Sequence, residues 1–152
     1  MKHVYDILDT IKKELRDNPS VHTVTFGNLS EVDLDKTTLF PLSHIFLGTV
    51  EHKENVIRFN IDILCADIVD YNLEKSDFDD FYGNDNLQDV LNTQFEVLNL
   101  LITKFQRGTL FADKYQIGTQ PLIEPFKERF SNELAGWSVS ISIDVPNGIN
   151  IC

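Results

Sequence analysis

Residues 85–108 read DNLQDVLNTQFEVLNLLITKFQRG, and this stretch decides the fold. Leu87, Val90, Leu91, Leu98, Leu101, Ile102 and Phe105 recur at i, i+3 and i+4 spacing, so a helix gathers them on one face. Gln94 interrupts that stripe, and Phe95, Val97 and Leu100 widen it beyond what a single packed face needs. Asn84 or Asp85 can cap the start. Lys104 and Arg107 stand in the last turn, where the macrodipole favours cations, and Gly108 is placed to end the helix in a left-handed conformation. A helix this apolar has to lie on a sheet or against another subunit.

Strands on both sides of the helix supply that sheet. In residues 55–69, Phe59, Ile61, Ile63 and Cys65 alternate with Arg58, Asn60, Asp62 and Leu64, the period of a strand with one buried face. From Ile63 to Val69 both faces turn apolar, which predicts cover on both sides. Residues 44–51 form its partner across a turn at His52-Lys53-Glu54, and the length of the pair predicts a hairpin that projects beyond the body. In residues 137–145, WSVSISIDV, the residues Trp137, Val139, Ile141, Ile143 and Val145 point one way; Ser138, Ser140, Ser142 and Asp144 point the other. Residues 2–18 read as an amphipathic helix stopped by Asn18-Pro19, and residues 21–26 as a strand ended by Gly27-Asn28. Strands and helices are segregated, so the fold class is α+β: a mainly antiparallel (mixed) sheet with a long β-hairpin and two helices packed on one face, in a single domain over residues 1–152. The expected core contains Leu91, Leu98, Ile102, Phe59, Ile61, Val139 and Ile141.

Other stretches leave alternatives open. Residues 29–43 are polar and acidic, then carry Leu39, Phe40 and Leu42 around Pro41. They read as a surface loop or as an arm reaching a neighbouring molecule, and Pro41 argues against a central strand. Residues 70–85 are acidic, with Phe78, Phe81 and Tyr82 interleaved. Their spacing does not match a calcium loop, which favours a solvated loop anchored by aromatics. Residues 118–126 carry Pro121 and Pro125 and are at best an edge strand. Residues 127–135 fit a turn of helix or a strand, and the tail from 147 to 152 fits a frayed end or a short strand donated to a partner sheet.

The 152 residues are 42% hydrophobic, enough for a core, and carry a formal net charge of −11. A chain so acidic is repelled at long range by nucleic acid and anionic lipid, which argues against binding through a basic patch. Its plainest reading is solubility. Two cysteines give no disulfide framework and fit a reducing compartment. No apolar run has the length of a signal peptide or a membrane span, so a soluble cytoplasmic product with no membrane partner is expected. The four histidines form no metal-ligand pair, no nucleophile elbow or phosphate loop is present, and the serines of the last strand read as its polar face. Neither a metal, a cofactor nor a catalytic set is indicated, and a structural or binding role is the better expectation. An adaptor or chaperone using the exposed hairpin, and a small enzyme without a recognisable motif, remain as alternatives. Apolar residues in extended segments mark Leu39, Phe40, Leu42, Ile149 and Ile151 as candidate intersubunit contacts.

The N-terminal helix, VHTVTFG, the hairpin HIFLGTV…NVIRFNIDILCADIVD, the helix NLQDVLNTQFEVLNLLITKFQ and the final WSVSISIDV occur in an order that resembles the neck and tail ring proteins of tailed bacteriophages, the tail-terminator and head–tail connector class. The acidic stretch and WSVSISIDVPNGINIC also resemble proteins of phages of gut Bacteroidetes, including the crAss-like group. The resemblance is one of architecture over nearly the whole chain. The insertion at residues 29–43 and the two-proline stretch depart from it. It implies a virion protein made in the host bacterial cytoplasm, a homo-oligomeric ring of six or twelve copies, contacts with other neck, portal or tail proteins, and passage of double-stranded DNA without tight binding. In such a conduit the candidate channel-lining residues are Asp77, Asp79 and Asp80 of the acidic loop, or Ser138, Ser140 and Ser142 of the polar strand face.

Overall fold

Helix α2, Leu87–Arg107, is the stripe read above, and it lies across a six-stranded sheet in the computed structural model. The structure describes residues 4–28, 39–69, 87–108, 110, 115–129 and 133–147. The element order is α1 (Val4–Arg16), β1 (Thr23–Phe26), β2 (Leu42–His52), β3 (Val56–Ile68), α2, β4 (Gln116–Ile117), β5 (Leu122–Arg129) and β6 (Glu133–Pro146). The sheet runs β1-β2-β3-β6, with β4 and β5 sharing the free edge of β6. Only β1–β2 is parallel; the other pairs are antiparallel, giving the expected α+β fold.

The core follows from period two meeting period 3.6. Register pairs Phe59 with Ile143, Ile61 with Ile141 and Ile63 with Val139, so both strands present the same face. Onto it pack Leu98, Leu101, Ile102 and Phe105 of α2 and Ile7, Leu8, Ile11 and Leu15 of α1. Six of the seven expected core residues are buried; Leu91 is half-buried at the edge of α2. Glu14 and Lys104 join the helices through an ion pair, and Lys12 sits over the Phe26 ring, 5.4 Å from its centroid.

Several readings are corrected. The hairpin does not project alone: β6 pairs β3 from Val56–Pro146 to Ile68–Leu134, so the β3 arm is flanked on both sides. The turn is at residues 53–55, closed by Lys53 N–H to Val56 O at 2.9 Å. Gly108 follows the helix without a left-handed backbone; its demand is for space, since a Cβ there would lie 2.8 Å from Lys104 Cα. The positive φ among the described glycines belongs to Gly27, at 111°, where the chain leaves β1. Residues 122–129 and 133–146 form two strands, which resolves the undecided stretch around 127–135 in favour of strand at both ends. Pro121 and Pro125 are tolerated because β5 pairs only with β6. A cis peptide bond joins Phe40 to Pro41 just before β2.

Candidate interaction surface on the open sheet face

The parity that buries one face of β3 and β6 turns the other away from both helices. Across these strands the outward residues meet in rows: Arg58 with Asp144, Asn60 with Ser142, Asp62 with Ser140 and Leu64 with Ser138. Three rows are closed by side-chain hydrogen bonds. Arg58 donates twice to Asp144, Nε to Oδ1 at 2.8 Å and Nη2 to Oδ2 at 3.1 Å. Ser142 Oγ donates to Asn60 Oδ1 at 2.7 Å, and Ser140 Oγ to Asp62 Oδ1 at 2.5 Å. Asn60 also donates through Nδ2 to Thr49 O and Oγ1, where a bulge between Leu47 and Val50 shifts the β2 register. The Asp62–Ser140 row continues to Phe46 on β2 and Leu122 on β5, both exposed.

The hydrogen bonds to Asp144 hold the Arg58 guanidinium above its ordinary value, so the two charges form a fixed pair. Gly118 lies directly against this pair. A Cβ there would come within 2.5 Å of Asp144 Oδ2 and 2.8 Å of Arg58 Nη2, so glycine admits the backbone between β4 and β5. At the other end of the face His44 is buried, with Nδ1 2.7 Å from Thr25 Oγ1 and Nε2 donating to Gly27 O at 2.8 Å. Both ring nitrogens are thereby spent on tying β1 to β2. Among the described residues no three His, Cys, Asp or Glu side chains converge as metal ligands would.

Of the sequence-predicted residues, Ser138, Ser140 and Ser142 stand together on this open face, Ser140 exposed and the other two half-buried. Ser140 and Ser142 are already tied to β3. The sequence marks Phe40 and Leu42 as candidates for intersubunit contact, as apolar residues in an extended segment. They are instead buried by their own chain: with Leu134, and half-buried Leu39 and Ile68, they form a small second core on the outer side of the sheet. This is the second-side cover expected near Ile63–Val69, and it withdraws the ground for assigning Phe40 and Leu42 to a neighbouring subunit. Ile149, Ile151, Asp77, Asp79 and Asp80 lie outside the described residues. Sequence reasoning missed Phe46, Val50 and Leu122, which are 47%, 46% and 70% exposed, and the Arg58–Asp144 pair. Alternation places Arg58 and Asp144 on polar faces, but only the register makes them partners.

No family model matches the chain, and no curated protein matches it in sequence. Among the described residues no helix is long and apolar enough to cross a membrane, which says nothing about crossing by strands.

Proposed function

We propose that the chain is a structural virion protein, one subunit of a homo-oligomeric ring of six or twelve copies in the head–tail neck or tail of a tailed bacteriophage, forming part of the DNA conduit beside other neck, portal or tail proteins. The observation that carries the reading is the open face of β3 and β6. Its guanidinium, Arg58, is neutralised by Asp144, and its remaining polar rows, Asn60–Ser142 and Asp62–Ser140, are hydrogen-bonded within the sheet. Phosphates are held by cations that release counterions on binding, and a wall of paired hydroxyls, amides and carboxylates offers them none. Such a surface suits a duplex that has to slide. The order of the elements supports the same reading, through the resemblance to ring proteins given above.

The test is the mass of the purified protein in solution, together with electron micrographs of particles that contain it. Rings of six or twelve copies, or density for this fold around the axis of a phage neck, are expected. A monomer that stays monomeric in the presence of neck and portal components overturns the ring. A second reading, an adaptor or chaperone that binds a partner through the hairpin, is favoured by the exposure of Phe46 and Val50 on β2. It predicts a one-to-one complex that is lost in a Phe46→Glu variant.

A further inference from the structure

The exposed side of α2 differs from that of α1. Every exposed α1 residue in the described set, Asp6, Asp9, Lys13 and Arg16, is charged, as a solvated face should be. On α2 the exposed residues are mainly amides, hydroxyls and apolar groups, with Asp89, Glu96 and Arg107 as the charged exceptions. Gln88, Asn92, Phe95, Asn99 and Gln106 are exposed and, with Ile102 turned into the core at the one remaining position, follow alternating spacings of four and three, the repeat of a helix–helix seam, in an uncharged stripe. At 1.5 Å per residue it runs about 27 Å, nearly the whole helix.

Two recesses flank this stripe, one at each end. One, about 510 Å³, is lined by Gln88, Asp89, Leu91, Asn92, Phe95 and Trp137. There Trp137 donates Nε1–H to Leu91 O at 2.7 Å and meets the Phe95 ring edge-on at 5.6 Å. The other, about 450 Å³, lies between Phe105–Gln106 and residues 116–121. Both ends border the β4–β5 side of the sheet. The sheet is five strands across, since β4 and β5 share one edge of β6, and α2 is the helix that packs nearest that edge. α1 lies on the opposite flank of α2, where Glu14 pairs with Lys104, so among the described residues no helix covers this flank.

We infer that this flank of α2 is a self-association surface, and that its occupant is the α2 helix of a second copy of this chain, lying antiparallel. Charge complementarity singles out the second copy. Asp89 and Arg107 are five turns apart, so they share one edge of the stripe at its two ends, and neither makes an ion pair within the described residues. Antiparallel docking brings the same edges of the two helices together, so Asp89 of each copy faces Arg107 of the other. Gln88 then meets the second copy's Gln106, and Phe95 meets the second copy's Asn99. Each copy carries a net charge of −11, so the approach has to use a charge-poor face, and the stripe is one. Glu96 is the exception at the rim, near the middle of the seam.

The inference stands apart from the ring proposed above, and charge swaps separate the two. The measurement is sedimentation equilibrium of the full chain at micromolar concentration, with circular dichroism as a check on folding. The wild-type protein is expected to be a dimer, or to assemble from dimers. Asp89→Arg and Arg107→Asp are each expected to weaken the dimer about tenfold, since each breaks two symmetric pairs. The double variant D89R/R107D is expected to restore it. Both swaps oppose the helix dipole, so the double variant is the least stable of the set, and a restored dimer cannot be attributed to better folding. Phe95→Glu is expected to leave a folded monomer, and Glu96→Gln to tighten the dimer. A monomeric wild type overturns the inference, as does a dimer or ring whose mass ignores Phe95→Glu and both swaps. An indifferent ring would sustain the proposed function; a swap-sensitive dimer that never forms a larger assembly would sustain only the seam.

Discussion

Cys65 carries its thiol where a thiolate cannot be solvated. It is fully buried, its Sγ is 3.3 Å from Ser43 Oγ, and burial pushes its pKa from 9.0 up to about 12. Below about pH 9 the thiol is protonated in the folded and the unfolded chain alike. Above that the unfolded chain ionises first, so the folded state loses up to about 1.4 kcal/mol per pH unit until the folded thiol titrates. Denaturant titrations across this range, made in a Cys152→Ser background, are expected to show a steeper loss for Cys65 than for a Cys65→Ala variant. A thiol reagent at neutral pH is expected to leave Cys65 unmodified until the protein unfolds. Equal pH slopes for the two proteins would mean that the thiol is solvated. Gln94 raises the opposite question. It was legible as the one polar residue on the apolar stripe, and it is buried with neither amide atom hydrogen-bonded within the described residues. An unsatisfied buried polar group costs about 1–3 kcal/mol, so Gln94→Leu is expected to raise the unfolding free energy by about 1 kcal/mol. A fall of that size instead would show that the amide has a partner that rewards it.

At the scale of elements, the β3–β6 pair holds the sheet together. Thirteen residues of β3 pair with β6, and at Gly136 the backbone of β3 leaves no room for a side chain. A Cβ on Gly136 would lie 1.8 Å from Cys65 O, inside any contact distance, and the neighbour is backbone that cannot turn aside. Gly136→Ala is therefore expected to cost about 3 kcal/mol or more, or to prevent folding. Ser140→Ala, in the same strand, removes one exposed hydrogen bond and is expected to cost about 1 kcal/mol or less. Thermal melts of the two variants check the contrast, and a Gly136→Ala protein as stable as wild type would refute the close approach. These elements were legible because each carries a long, unbroken period: two in β3 and β6, and 3.6 in α2. Strand β4 is too short to show a period, and β5 hides one behind Pro125, which an edge position tolerates. Phe40 and Leu42 were legible as apolar and illegible in placement. No local pattern says that a segment after a polar stretch of sequence packs onto Leu134, far along the chain. The same holds for the open face: alternation exposes its serines, and register alone decides that Ser140 meets Asp62 and Ser142 meets Asn60.

The whole molecule carries 24 acidic against 13 basic residues, and this imbalance has consequences that no single contact decides. Two copies approach each other against the repulsion of their net charges, and a copy approaches DNA against the charge of the phosphates. Salt acts on the two encounters differently. For self-association, screening shortens from about 10 Å at 0.1 M to about 3 Å at 1 M ionic strength, so the overall repulsion fades while the apolar part of the seam is kept. The ion pairs of the seam also weaken, but they are exposed and contribute little each. The sedimenting mass at a fixed micromolar concentration is therefore expected to rise with added salt. For DNA, screening removes a repulsion without creating an attraction, because on the open face Arg58 is already paired with Asp144. Labelled duplex is expected to run unshifted at physiological salt and to remain so as salt is raised. A duplex shifted at low salt and released steeply by added salt would mark a row of phosphate contacts, with a slope near −0.9 per neutralised phosphate. That outcome would sink the sliding-wall reading. An assembly that falls apart as salt rises would show in the same way that ion pairs, and not the uncharged stripe of α2, hold the copies together.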